Sequence, residues 1–322
     1  MSFKFYLFLI AAFVLLALVA VSSGGASISL GDIVKFFTFG ELDETKELIL
    51  TQMRLPRLVL GILIGALLAT SGVVVQSVFL NPLADPYIIG IASAATFGAV
   101  IAYLLGLSDV FYGIFAFLAA SGLSLVIFKL AAHTRSISTL LIVGIAVSSF
   151  LGAFTSFAVY LIGEDSFRIT AWMMGYLGGA NWQKIALLLP PLLFCMAYFY
   201  AKRHELNIIL NGDEEAKSLG LNVEKSKKSL LIVSSLIIGF SVAFTGMIGF
   251  VGLIIPHTLR MALHTASNAV LIPASALTGG VFLVFCDVIA KNALSPVKIP
   301  IGVVTSFFGA PFFLYLAFRK HA

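Results

Sequence analysis

Roughly ten apolar runs, each close to the 20 residues that a helix needs to cross the hydrocarbon core of a bilayer, follow one another along this 322-residue sequence. Nothing constrains its fold more. A backbone in lipid must satisfy its own hydrogen bonds, so runs of this length are helices. So many of them in one chain specify a helical bundle within a membrane. The charge content agrees, at 11% against about 25% in an average soluble domain. The formal charge of +5 requires no nucleic-acid partner, because the basic residues of a membrane protein mark its cytoplasmic loops.

The first run, 5–21, follows Lys4 and is longer than a usual secretory signal core, so it reads as a retained span. Residues 27–52 are mixed and mostly acidic and read as an exoplasmic loop. Further spans are expected at 55–80, 88–105, 111–131, 138–162, 185–201, 230–250, 269–289 and 301–318. Gly246, Gly249 and Gly252 introduce a short half-helix that ends near Leu263. Trp172, Tyr176 and Trp182 place the 164–183 segment at the interface, with room for a short re-entrant helix. The expected fold is an all-α membrane protein of about ten transmembrane helices, some short or re-entrant, forming a single domain over 1–322. With the N-terminus inside, twelve of the 20 Lys and Arg residues fall in inner loops, which puts both termini in the cytoplasm.

The stretch 54–98 carries the densest pattern. Arg54 and Arg57 flank Leu55-Pro56 just outside an apolar run, and Gly61, Gly65, Ala69, Ser71 and Gly72 give that run a smooth face for close packing. Asn81-Pro82-Leu83-Ala84-Asp85-Pro86 then stops the helix. A helix end with fixed polar groups at membrane depth is tolerated only against protein or a watery cavity, which points to a translocation pathway. The longest polar stretch is 205–229. Cys195 and Cys286 lie in separate apolar runs without metal-ligand spacing and read as inert buried thiols. No metal set, H-E-x-x-H or G-x-S-x-G motif argues for an enzyme.

In family order, Arg54-Leu55-Pro56-Arg57, Ser71-Gly72 with Gln76, the 81–86 motif and Trp172-Met173-Met174-Gly175 resemble the permeases of the iron-siderophore, haem and cobalamin ABC importers (FecCD-like). So do Gly249-Phe250-Val251-Gly252-Leu253 with Pro256-His257 and Arg260, Pro300-Ile301-Gly302-Val303-Val304-Thr305, and Gly309-Ala310-Pro311. The resemblance implies a permease working with a second permease copy, two cytoplasmic ATPase subunits and a periplasmic or lipid-anchored substrate-binding protein, in a bacterial or archaeal cytoplasmic membrane. The chain has no phosphate loop, so it binds no cofactor itself and ATP is used by the partner subunit.

The resemblance also implies roles for residues. Asp213, Glu214, Glu215, Ala216, Leu219 and Gly220 look like the ATPase-coupling motif, within the cytoplasmic loop 205–229; an ordinary solvated helix is the plainer account. Arg54, Arg57 and Lys291 resemble cations that meet carboxylates of the binding protein, although anchoring of helix ends would also place them there. Asn81, Pro82 and Leu83, with Ser136 and Ser138, resemble the cytoplasmic gate, and helix capping by Asn81 and Ser138 is compatible with it. Lys298 departs from the family, which often has Glu there. His257 is read as packed and hydrogen-bonded, and Asp287 as an i,i+4 partner of Lys291. The cargo expected first is a ferric siderophore, then haem or cobalamin, with molybdate-like oxyanions behind. The alternative is an ion-coupled secondary transporter or channel, for which Asp85 and Asp287 are the acidic candidates.

Overall fold

The computed structural model describes residues 3–25, 28–40, 42–131, 137–295 and 297–319, and every regular element among them is helical. In chain order these are α1 (Phe3–Ser22), α2 (Leu30–Phe39), α3 (Glu44–Ile49), a π turn (Leu50–Arg54), α4 (Leu55–Val78), a 3-10 turn (Pro86–Ile89), α5 (Ile91–Leu104), α6 (Asp109–Ala131) and α7 (Ile137–Ile162). A 3-10 turn (Gly163–Ser166) leads to α8 (Phe167–Met173), α9 (Trp182–Ala201), α10 (Arg203–Ile209), α11 (Asp213–Ser218), α12 (Val223–Thr245), α13 (Val251–Leu263), α14 (Asn268–Asn292) and α15 (Ile301–Arg319). Among the described residues, six helical stretches are long and apolar enough to cross a membrane, and four shorter apolar helices accompany them: Leu9–Ser22, Ile91–Leu104, Val251–Leu263 and Ile301–Tyr315. The chain is a multi-pass membrane protein.

The fold is built around α4. Every residue from Leu67 to Val78 is buried, and 78% of its apolar window is covered by protein, against 17% for the peripheral stretch containing α7. Lipid gives helices no hydrophobic reason to associate, so close backbone approach must supply the attraction. The small residues provide it. A Cβ at Gly65 would overlap the carbonyl of Gly279 on α14, and one at Gly72 the carbonyl of Gly252 on α13. On the next face the Ser71 and Ser234 hydroxyls meet at 2.7 Å, joining α4 to α12.

Three segments are more ordered than their sequence suggests. The 27–52 loop contains α2 and α3. Ser29 and Asp32 form a capping box at the start of α2, Gly40 ends it at φ +69°, and Ile33 packs against Val21, Ile28 and Leu50. The Asp32 carboxyl is held down at about 2, chiefly by the Ser29 backbone N–H and then by Lys46 at 3.0 Å. The interfacial 164–183 loop holds α8. Helix α12 starts at Val223 rather than 230 because Asn222 caps it, accepting from the Lys225 N–H at 3.0 Å. Its polar first turns are good helix formers.

Helix ends sort onto two faces. The C-terminal ends of α1 and α14 meet the N-terminal end of α4, where Arg54 and Lys291 bind α1 carbonyls. The opposite end of α4 meets the start of α14 and α10. Helix α15 starts beside Gly175, itself next to the C-terminal end of α12, and runs back along α13. The N-terminal end of α1 and the C-terminal end of α15 therefore lie toward the face that carries α10 and α11.

Candidate functional site

A cavity of about 960 Å³ runs along α13 and α15 from Met174 and Met247 to Leu83. Its wall is almost wholly apolar, with Phe250, Leu253 and Phe307 prominent, and Asp85, Tyr87 and Ser306 as its polar members. Phe250 adopts φ +68° as it enters α13, a conformation that costs a non-glycine residue of order 1–3 kcal/mol. Its ring occupies the space that a side chain at Gly309 would need, which accounts for the glycine there. The Tyr87 hydroxyl donates to the Ile248 carbonyl at 3.3 Å.

The turn after α4 closes one end of this groove. Leu80 takes φ +52°, and the Asn81 N–H donates to the Gln76 carbonyl at 3.1 Å. The Asn81 side-chain oxygen then accepts from the Leu83 N–H at 3.0 Å, an Asx turn. Asp85 caps the following 3-10 turn, accepting from the Tyr87 N–H at 2.8 Å. Asn81 is exposed, and Leu83 lines the cavity. Ser138 stands in the first turn of α7, whereas Ser136 lies outside the described residues. Buried Gln76 ties the turn to α13: it donates to the Gly252 and Leu253 carbonyls at 3.2 Å and accepts from Arg260.

On the face of α10 and α11, two glycines at positive φ, Gly212 (+108°) and Gly220 (+82°), bracket the short α11. Ala216 is fully buried beneath it, while Glu214, Glu215 and Leu219 project outward. Asp213 pairs with the buried Lys227 of α12 at 2.5 Å. Glu205 of α10 accepts from Lys202 at 2.5 Å and Ser226 at 2.6 Å, and its hydrogen bond raises the Lys202 ammonium above its ordinary pKa. Below α10, the Asn207 side-chain oxygen accepts from Asn268, whose own oxygen accepts from Ser77 near the end of α4.

The opposite face carries Arg54, Arg57 and Lys291, brought together in one cluster. The Arg57 guanidinium grips Asp287 with two nitrogens at 2.8–3.1 Å. Lys291 reaches Asp287 at 3.2 Å and the Ala20 carbonyl at 3.1 Å. Arg54 donates to the Val21 carbonyl and to the Ser22 carbonyl at 2.8 Å. All four side chains are largely buried. The i,i+4 pair of Asp287 and Lys291 is present; the Arg57 arm, from 230 residues away, left no local mark in the sequence. Lys298 is exposed near the start of α15. His257 packs edge-on to Phe312, with ring centroids 6.2 Å apart. Among the described residues no three His, Cys, Asp or Glu side chains converge on one point.

Comparison with known proteins bears on this geometry. The FecCD transport family matches residues 10–319. The cobalamin import system permease protein BtuC of Halobacterium salinarum is 43% identical over 279 residues, covering 85% of this chain and 74% of the relative. The hemin transport system permease protein HmuU of Yersinia pestis is 35% identical over 327 residues, covering 97% and 95%. A solved structure described as an inward-facing conformation of a candidate metal-chelate type ABC transporter superposes with a TM-score of 0.87 at 31% identity, covering 98% of this chain and 99% of that one.

Proposed function

Because the chain belongs to the FecCD transport family, we propose that it is the membrane conduit of an ATP-driven importer for a large metal chelate. The observation that carries this reading is the groove: a nearly inert wall ending at the Asn81–Leu83 turn, which follows the end of α4 that meets α10. Such a wall passes a bulky cargo without holding it. The names of the relatives favour cobalamin or haem over the ferric siderophore expected from the sequence.

In this reading a second copy of the chain completes the conduit, the four shorter apolar helices complete the ten crossings, and the α10–α11 face is cytoplasmic. Asn81, Pro82 and Leu83, with Ser136 and Ser138, form the gate. Helix α11 and Gly220 seat in a groove on each of two ATPase subunits, through the outward Glu214, Glu215 and Leu219. In the opposite cluster Arg57 and Lys291 share the Asp287 carboxylate, and Arg54 stands beside them on the Val21 and Ser22 carbonyls, so three cations face one anion. The surplus positive field steers carboxylates of the binding protein toward this face. An ion-coupled mechanism has less support, since Asp287 is taken up by two cations and Asp85 by a cap. The test is to purify the complex and its binding protein. Recovery of an ATPase with this chain and a metal chelate with the binding protein is expected; a complex without ATPase would refute the reading.

A further inference from the structure

Helix α11 stands at the surface, and the Asn81 turn lies beyond the end of α4. A movement made at the first reaches the second only through groups that join them. One polar chain does so. Asn207 of α10 accepts through a single side-chain oxygen from both the backbone N–H of Asn268 (2.8 Å) and its amide NH₂ (2.9 Å). The Asn268 side-chain oxygen accepts from the Ser77 hydroxyl at 3.2 Å. Its one proton is shared, as a forked bond, with the Val73 carbonyl within α4 at 2.8 Å. Asn268 and Ser77 are fully buried, so water cannot replace the partners of either, and a broken link leaves a buried polar group unsatisfied.

The two ends of the chain sit on the moving parts of the proposed cycle. Asn207 precedes α11 by one short turn, and α11 is held to α12 by Asp213 and Lys227. Ser77 is followed within the next turn of chain by Asn81, whose N–H is bonded to the Gln76 carbonyl. Apolar contacts between α10 and α4 or α14 can slide; a half-buried pair of hydrogen bonds with one acceptor for two donors is directional and resists it.

We propose that Asn207, Asn268 and Ser77 are positioning residues that relay displacement of the coupling helix to the gate turn. This rests on the reading that α11 meets an ATPase. Toward Asn268, Asn207 acts as an acceptor, so Asn207→Leu removes the link with little change of size, whereas Asn207→Asp keeps the oxygen. Ser77→Ala cuts the same chain at its far end, away from α10.

The test uses the assembled permease–ATPase complex in liposomes, with Leu83→Cys as a reporter labelled by a maleimide; the native Cys195 and Cys286 are buried. In the parent complex, ATP with vanadate changes the labelling rate. In Asn207→Leu and in Ser77→Ala that change should shrink by about tenfold, a typical size for coupling between sites, while ATP hydrolysis and ATPase binding persist. Asn207→Asp should restore it. An undiminished labelling change in Asn207→Leu overturns the relay, and so does loss of ATPase binding in that variant, which would make Asn207 a support of the docking surface. If Asn207→Leu fails to fold, Ser77→Ala decides by the same criterion. No response to ATP in the parent complex would instead sink the reading on which the relay rests.

Discussion

Gly72→Ala adds one methyl group where α4 crosses α13. That methyl carbon would come within 2.7 Å of the Gly252 Cα and overlap the Gly252 carbonyl, where 3.4–4 Å is ordinary contact. The obstacle is backbone, so no rotamer relieves it, and the helices must separate by about 1 Å or more. A gap of that size forfeits a quarter to a half of each contact it opens, and overpacking of this kind costs about 1–3 kcal/mol. The absence of give puts Gly72 near 3 kcal/mol. Better helix propensity returns about 1 kcal/mol, leaving a net loss of about 2 kcal/mol. Gly152→Ala in α7 is the matched control, because nothing stands within 4 Å of its added carbon and only the propensity gain of about 1 kcal/mol remains. At about 2 °C per kcal/mol for a chain of this size, thermal unfolding in detergent should shift down by about 4 °C for Gly72→Ala and up by about 2 °C for Gly152→Ala. Equal shifts of the same sign would refute the claim that close backbone contact organises the bundle.

The buried ion cluster gives an asymmetric series. Asp287→Leu strands Arg57 and Lys291 and should cost about 5 kcal/mol, Arg57→Met about 3 kcal/mol because Lys291 still serves Asp287, and the double variant less than Asp287→Leu alone; denaturation of the purified protein ranks them. Arg57→Glu should abolish stimulation of ATP hydrolysis by the binding protein, with partial recovery when a docking carboxylate of that protein is changed to Lys. Glu215→Arg with Gly220→Val, the latter forced to φ +82°, should reduce co-purification of the ATPase; unchanged recovery counts against α11 as the contact. The Asp32 carboxyl sits at about 2, below its ordinary value of about 3.9. Its contribution is complete above pH 4 and disappears as the pH falls toward 2; hydrogen exchange of α2 amides should show that acid limb, and Asp32→Ala should lack it.

Much of this was legible from local pattern. Gly65 and Gly72 announced close packing because small residues at helical spacing leave a flat face, and Asn81-Pro82 announced a stop because proline cannot continue a helix. Helix α2 was missed: Ser29 and Asp32 form its capping box in the structure, but the acidic surroundings of the segment suggested a loop. Nothing local couples Arg57 to Asp287, or Asn207 to Asn268 and Ser77. Those links exist only once α4, α10 and α14 are packed, and sequence spacing carries no record of which buried polar groups will meet. The residues joining the proposed coupling helix to the proposed gate were therefore invisible beforehand, although each end was visible as a motif.

In the proposed role this chain is a passive conduit driven by hydrolysis elsewhere. Its most direct test is uptake into sealed vesicles that contain the permease and its ATPase, with chelate-loaded binding protein on the receptor-facing side. With ATP and no ion gradient, the chelate should accumulate, and the permease alone should accumulate none under either condition. Accumulation by the isolated chain under an ion gradient, without any nucleotide, would contradict the account.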